Sequence, residues 1–256
     1  MTSTVPTRLD RLVNDFATRS FRDTGDGDYI AARLAFRFQL VPQFLWSSLQ
    51  AIEKYLKCML VLNRIMAERG HSLDEILKIF DKNKKFELGL SEDAKKFLVF
   101  LDTYGRHRYY ETPYYIRGHE LLLLDKTVWE IRRYARGMDY NIQSLSGEVV
   151  EMLEHEIATN VSAESKPPHS FYIIGGRLES IIEDRKHPSR EPLLWQNAFY
   201  GKRVRKTVKL PGRGEAGNSP LWLHPEILDE VLKYVWMPDG IAKAYRDLER
   251  KRGAPT

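Results

Sequence analysis

The sequence predicts an all-α protein, in which an up-and-down helical bundle is followed by a partly helical C-terminal extension. Apolar residues recur at helical spacing through most of residues 28–136. Several of these stretches begin with a capping residue and end at a glycine. The links between them are short, which favours antiparallel neighbours in a bundle. We therefore predict a bundle with an N-terminal lead-in over residues 1–160 and an extension over residues 161–256.

The first two helices of the predicted bundle are marked by their start signals. The first is predicted to begin at Asp28, an N-cap that follows a glycine-rich turn. Ile30, Leu34 and Phe38 form its buried stripe. The second is predicted over about residues 42–68, because a proline suits the first turn of a helix.

Later helices are predicted from capping residues and from the apolar pattern. Ser72 and Glu75 have the spacing of a capping box, and Ser91 is a good N-cap for the next helix. The apolar pattern then predicts the following helices: about residues 118–136, 146–159, 171–185, 225–236 and 239–252. The stretch 162–170 is predicted to be a linker, and 201–220 a loop or a mobile hairpin.

Composition narrows the class of protein. The chain of 256 residues is 43% hydrophobic and 29% charged, which is ordinary for a globular protein. No apolar run is long enough to cross a bilayer, and the N-terminus lacks the pattern of a secretory signal. A single cysteine, Cys58, lies among leucines and methionines, which indicates a buried thiol and a reducing, cytoplasmic environment.

No cofactor is predicted. The histidines have no spacing typical of metal ligands, and the sequence contains neither a Walker motif nor a nucleophile elbow. The net charge of +5 comes wholly from residues 161–256. The basic loop at 202–213 suits a nucleic-acid backbone, although a merely solvated loop has the same composition.

The stretch LQAIEKYLKCML, residues 49–60, is apolar on nearly every side. Its polar residues Gln50, Glu53, Lys54 and Lys57 share one narrow stripe. Such a helix lies inside a bundle or is shared with a second subunit, with the stripe facing an opening. Glu53 and Lys57 are four residues apart, in the favourable order for an ion pair. The alternative is a solvated stripe with one ordinary ion pair.

These residues and two later stretches resemble the HEPN domain, which is named for nucleotide binding in higher eukaryotes and prokaryotes. The later stretches are GHSLDEIL and RHRYYETP. The matching positions are Gln50, Ala51, Glu53, Lys54, Lys57, His71, Leu73, Arg108 and Tyr109. The resemblance covers about residues 28–136 and implies a helical bundle, frequently a homodimer, with a cleft where polar residues meet.

Many HEPN proteins are ribonucleases with an arginine and a histidine, separated by four to six residues, on a late helix. That spacing is absent here from the expected helix, since Arg108 lies too far from His119 and Arg117 lies too close to it. The resemblance therefore points to binding-type members, such as the sacsin C-terminal domain and the partners of minimal nucleotidyltransferases.

We predict a non-catalytic binding protein that holds a nucleotide or an RNA phosphate group in a groove of the bundle, and no membrane contact. The predicted binding residues are Glu53, Lys54, Lys57, His71, Arg106, Arg108 and Tyr109. Arginine forks bind phosphates and tyrosines stack on bases. Two alternatives are a metal-independent endoribonuclease that uses His71, His107 or His119, and an assembly partner of a nucleotidyltransferase.

Two of these residues have a structural interpretation as well. His71 precedes the capping box at Ser72, where an imidazole can cap or pack at the turn. The tyrosines of RHRYYETPYYIR, residues 106–117, can cover the end of the bundle.

Overall fold

The computed structural model describes residues 6–66, 72–83, 87–106, 113–144, 146–201, 207–210 and 215–253. The prediction of an all-α bundle is confirmed, and the strands are short pairs. The helices are α1 (Arg8–Ala17), α2 (Asp23–Arg37), α3 (Val41–Leu62), α4 (Leu73–Asn83), α5 (Glu92–Tyr104), α6 (Glu120–Arg132), α7 (Leu153–Ala163), α8 (Arg177–Glu183), α9 (Arg190–Leu194), α10 (Pro220–Leu223), α11 (Leu228–Val231) and α12 (Asp239–Gly253). The strands are β1 (Tyr114–Ile116), β2 (Asn141–Gln143), β3 (Val149–Glu151) and β4 (Glu215–Gly217).

Helix α3 is the centre of the bundle. It packs against α1, α2, α4, α5 and α6, and Phe44, Leu49, Ile52 and Leu56 are fully buried. Burial of such side chains stabilises the fold by about 1.5–3 kcal/mol each. The prediction that this helix lies inside the bundle is confirmed, and its apolar faces are covered within one chain.

The predicted start of the first helix at Asp28 is wrong. Helix α1 runs through a π-helical turn at Thr18–Arg22 directly into α2. The glycine-rich stretch is helical because Gly25 lies against α3, where an added Cβ would be 3.1 Å from the Tyr55 ring and 3.3 Å from the Ala51 carbonyl. The glycine therefore permits a close helix approach and does not form a turn.

The Ser91 cap predicted for α5 is present, as is the serine half of the capping box predicted for α4. The Ser91 Oγ accepts a hydrogen bond from the Ala94 N–H at 3.3 Å, and the Ser72 Oγ accepts one from the Glu75 N–H at 3.3 Å. The carboxylate of Asp102 in α5 accepts a further bond from the Leu73 N–H at 2.8 Å. These side chains satisfy backbone donors that the first turn of a helix leaves open.

Several predicted helices are shorter than expected, and two of them show a clear reason. The helix predicted over 146–159 begins only at Leu153, because Val149 and Val150 belong to β3, which pairs antiparallel with β2. In the stretch 171–185 only α8 is helical, and Gly175, with φ of +67°, precedes it. A positive φ is a conformation that interrupts a right-handed helix.

The C-terminal residues form two separate apolar groups. Leu178, Ile181 and Leu193 are buried in the main core together with α3. A second, small cluster joins the last helices, and its buried members are Leu221, Leu228, Met237, Ala242 and Tyr245. Strand β4 pairs antiparallel with β1, with Tyr115 opposite Ala216, and so connects the last part of the chain to the bundle.

Candidate functional site

The polar stripe of α3 is largely buried. The Glu53 side chain is only 5% exposed, and its carboxylate lies 2.6 Å from the Lys57 Nζ. The predicted ion pair of these two residues is therefore confirmed. Lys54 pairs instead with Asp28 of α2. Both lysines thus have a carboxylate partner, which lowers their attraction for a further anion.

Arg106 follows the C-terminal end of α5 and forms an ion pair with Asp102, which belongs to that helix. Next to it, Gly105 packs against the Leu45 carbonyl and the Leu49 Cβ, where an added Cβ would lie 3.0 Å from each. Lys54 follows Leu49 by five residues, which rotates its side chain by about 140° around the helix. Lys54 therefore does not lie on the face of α3 that Gly105 contacts.

Three of the predicted binding residues, His71, Arg108 and Tyr109, lie outside the described residues, as do 202–206 and 211–213 of the predicted basic loop. The grouping of these residues with Glu53, Lys54, Lys57 and Arg106 stays a prediction.

A cavity of about 310 Å³ opens between α5, β1 and α6, and we call it the basic cavity. The two segments that flank residues 107–112 in the sequence both contribute to it. Its lining residues are Lys96, Phe97, Phe100, Tyr104, Tyr115, Arg117, His119, Glu120 and Leu123. It is concave, mostly apolar and edged by a few polar groups, as small-molecule sites usually are.

Aromatic rings form one wall of the basic cavity. Phe100 stacks on Phe97 with ring centroids 5.8 Å apart, and Tyr104 lies 5.0 Å from Phe100. Across the opening, the Arg117 guanidinium lies over the ring of Tyr115, 6.0 Å from its centroid. Phe97 is buried, whereas Phe100, Tyr104 and Tyr115 are at least partly exposed, and such rings can stack on a base.

Two hydrogen bonds to the Glu120 carboxylate fix the backbone around Arg117. The Glu120 carboxylate accepts hydrogen bonds from the backbone N–H groups of Arg117 and Gly118, each at 2.7 Å. Gly118 has a φ of +95°, a conformation that a residue with a Cβ rarely adopts. The residues on either side of this glycine, Arg117 and His119, both line the cavity.

The cations of the basic cavity differ from those of the α3 stripe in their partners. Among the described residues, neither Lys96 nor Arg117 forms an ion pair. The acids nearest to Lys96 in sequence, Glu92 and Asp93, pair with other lysines at 3.0 and 2.7 Å. The carboxylate of Glu120 is negative, but both of its oxygens bind backbone donors.

The sequence prediction missed part of this cavity. Phe97, Phe100 and Tyr104 recur at helical spacing along α5, and such a stripe is typical of core residues. Two features of the sequence distinguish this stripe from a core stripe. Lys96 lies beside it, and aromatic and basic residues follow α5 in the chain.

Comparison with known families now adds to the geometry. The model of the HEPN domain matches residues 18–136, which contain α2 to α6 and the whole basic cavity. The chain carries a HEPN domain. The resemblance predicted from the α3 stripe is thereby confirmed, and the family supports a role connected with nucleotides or RNA. No curated protein and no solved structure matches the chain significantly.

The described residues contain neither a candidate metal site nor a helix that could span a membrane. No group of three histidine, cysteine, aspartate or glutamate residues is arranged there to hold a metal ion. None of the helices described combines the length and the apolarity that a membrane span requires. Burial raises the pKa of the Cys58 thiol to about 12, in agreement with the predicted buried thiol.

Proposed function

We propose that the HEPN domain of this protein binds a nucleotide or an RNA phosphate group in the basic cavity and does not cleave it. The observation that carries this proposal is the combination, in one cavity, of aromatic rings with cations that have no ion-pair partner among the described residues. The family assignment supports the same class of ligand.

The cavity offers two kinds of contact to a nucleotide. The Arg117 guanidinium and the Lys96 ammonium can donate charge-assisted hydrogen bonds to phosphate oxygens, which are about twice as strong as neutral ones. Tyr104 and Tyr115 offer faces to the base, and each stacked base contributes about 1–3 kcal/mol. The segment between these tyrosines contains Arg108 and Tyr109, so the predicted residues belong to the same stretch of chain.

A thermal-shift panel of mono-, di- and trinucleotides and a short single-stranded RNA tests the proposal. A ligand at about 100 times its dissociation constant should stabilise the protein by about 2.7 kcal/mol. The double variant Lys96→Gln with Arg117→Gln should weaken binding at least about tenfold, since it removes two charged donors.

Lys95 provides a matched control, because it neighbours Lys96 on α5, pairs with Glu92 and does not line the cavity. The variant Lys95→Gln should bind within about twofold of the wild-type protein. The proposal fails if no phosphate compound stabilises the protein, or if Lys95→Gln weakens binding as much as the double variant does.

One observation favours a second candidate, a metal-independent endoribonuclease. Arg117 and His119 line the same cavity, which therefore contains both a phosphate-binding cation and a proton-transfer group. Incubation of single-stranded RNA with the protein in the presence of a chelator separates the two candidates. Cleavage that is lost in His119→Ala would establish the enzyme, and intact RNA after hours would leave the binding protein.

We further propose that the protein forms a homodimer, as the resemblance implies. Helix α1 supports this, because Leu9, Leu12 and Phe16 recur along one side and are 56–70% exposed. Light scattering on a sizing column measures the mass directly. A dimer that dissociates in Leu12→Glu supports the proposal, and a monomeric wild-type protein rejects it.

A further inference from the structure

The C-terminal segment, residues 168–201, is bound to the HEPN helices through buried charges. Arg132 of α6 donates hydrogen bonds to Asp26 of α2 at 2.7 and 2.9 Å and to Glu179 of α8 at 2.7 and 2.8 Å. Its side chain is only 2% exposed. Glu179 is therefore held in one position by a buried guanidinium.

Further bonds fix the rest of this segment. Arg33 of α2 donates to the carbonyls of Pro192, at 3.1 Å, and of Trp195. The side-chain amide of Asn197 donates to the Tyr29 hydroxyl at 2.9 Å and to the Leu193 carbonyl at 3.0 Å. The segment thus has a defined position on the bundle, although it lies outside the HEPN match.

A second cavity, of about 230 Å³, lies within this segment, and we call it the acidic cavity. Four aromatic side chains and two carboxylates dominate its walls. Its lining residues are His169, Phe171, Tyr172, Glu179, Ile182, Glu183, Phe199, Tyr200 and Gly201. No lysine or arginine is among them.

The charge of the acidic cavity is negative. Glu179 shares Arg132 with Asp26, so that one guanidinium faces two carboxyl groups. Glu183 has neither an ion pair nor a side-chain hydrogen bond among the described residues, and its side chain is exposed. The Nδ1 atom of His169 is buried and also lacks a hydrogen-bond partner in the described part of the chain.

We propose that the acidic cavity binds an organic cation, such as a quaternary or methylated ammonium group. The faces of aromatic rings attract cations, and an aromatic box next to a carboxylate is the arrangement that suits an ammonium carrying methyl groups. Tyr172, Phe199 and Tyr200 supply the rings, since the Arg136 guanidinium already lies over Phe171, 5.9 Å from its centroid, and Glu183 supplies the neutralising charge.

The same features disfavour other ligands. A phosphate group would meet Glu179 and Glu183, and like charges repel strongly where water is partly excluded. A neutral apolar molecule would contact the rings but would leave the charge of Glu183 without a partner. Cation binding here does not depend on nucleotide binding in the basic cavity, because the two cavities share no lining residue.

Choline and its neutral isostere 3,3-dimethyl-1-butanol provide a direct test with the full-length protein. The two molecules have nearly the same shape, and only choline is charged. Calorimetric titration should show choline binding with a dissociation constant in the millimolar range, on the order of 1 mM, and at least about tenfold weaker binding of the alcohol.

Variants locate the site. Glu183→Gln keeps the shape of the side chain, removes its charge and should weaken choline binding at least about fivefold. Tyr172→Ala removes an exposed ring and should weaken it as well. Asp184→Asn, at the next position, is the matched control and should leave the affinity within about twofold, since Asp184 does not line the cavity.

The outcomes are decisive because the fold can be checked independently by circular dichroism. The proposal is overturned if neither choline nor tetramethylammonium binds at about 50 mM, or if the neutral alcohol binds as well as choline. It is also overturned if Glu183→Gln and Asp184→Asn have equal effects in folded protein.

Discussion

The basic and acidic cavities have similar walls and opposite charges. Both are lined by aromatic rings, but the basic cavity has Lys96 and Arg117 at its edge, whereas the acidic cavity has Glu179 and Glu183. The basic cavity forms from consecutive elements, α5, β1 and α6, within the HEPN domain. The acidic cavity depends on contacts between residues far apart in sequence. Aromatic rings alone therefore do not indicate which class of ligand a cavity binds. The sign of the unpaired charge in the cavity does indicate it.

The largest expected effect follows from removing the charge that holds the acidic cavity. Arg132→Met leaves Asp26 and Glu179 buried without their partner, and breaking such a buried pair costs about 3–5 kcal/mol. Urea denaturation measures the loss of unfolding free energy. In contrast, Lys78→Ala breaks an exposed pair with Asp74 and should cost less than about 0.5 kcal/mol. A cost below about 1 kcal/mol for Arg132→Met would contradict this account of the segment.

The next effect concerns ligand choice. Arg117→Glu should weaken nucleotide binding more than about tenfold and leave choline binding within twofold, and Glu183→Lys should do the reverse. Titrations of both ligands against both variants give this two-by-two comparison. The distinction between the cavities breaks down if either variant weakens both ligands equally while the protein remains folded.

A smaller effect is expected in the pH dependence of stability. Burial disfavours the ionised form of Glu179, but the charge of Arg132 and the hydrogen bonds from Arg132 and the Ile173 N–H outweigh it, so its pKa lies below the ordinary 4.5. A lowered pKa gives stability that is present above pH 4.5 and is lost as the pH falls below it. Glu179→Gln should therefore flatten the acid limb of the stability curve.

The contribution of Asp26 to the pH dependence of stability is opposite to that of Glu179. Burial raises the pKa of Asp26 above 3.8 despite its bonds to Arg132, so its ionisation costs stability as the pH rises above that value. Urea midpoints measured between about pH 3 and 7 resolve the two contributions. An acid limb that is unchanged in Glu179→Gln would show that Arg132 does not favour the charged carboxylate.

The smallest expected effect is no change at all. With a pKa of about 12, the buried Cys58 thiol is ionised to only about one part in ten thousand at pH 8, and native protein should react very slowly with a disulfide reagent. The rate should stay as low in Lys96→Gln and Glu183→Gln as in the wild type. Faster labelling of either variant would mean that its ligand loss comes from a disturbed bundle.

The sequence predicted the parts of the molecule that local contacts determine. The Ser91 cap and the Glu53–Lys57 pair each join residues within four positions, and both are confirmed. The helical start at Asp28 was wrong because a distant surface of α3 decides the conformation around Gly25. A local pattern of residues contains no information about such a partner.

The binding residues divide in the same way. Arg117 belongs to a basic and aromatic stretch that sequence inspection singles out, and it lines the basic cavity. Lys96 was not predicted to be a binding residue, because the aromatic residues beside it have the spacing of a core stripe. The acidic cavity depends on the contact between Arg132 and Glu179, which lies 47 positions later in the chain. No pattern in the sequence predicts that contact.

The buried bonds from Arg33 and Arg132 to residues 179–195 have a consequence for the order of events during synthesis. The HEPN match ends at residue 136, yet two of its arginines receive some of their partners only when later residues have been made. At about 5–20 residues per second, the ribosome needs roughly 3–12 s to add the next 59 residues, up to Trp195. Through that interval the nascent helices hold these two arginines only by their partners within the domain, Asp125 for Arg33 and Asp26 for Arg132.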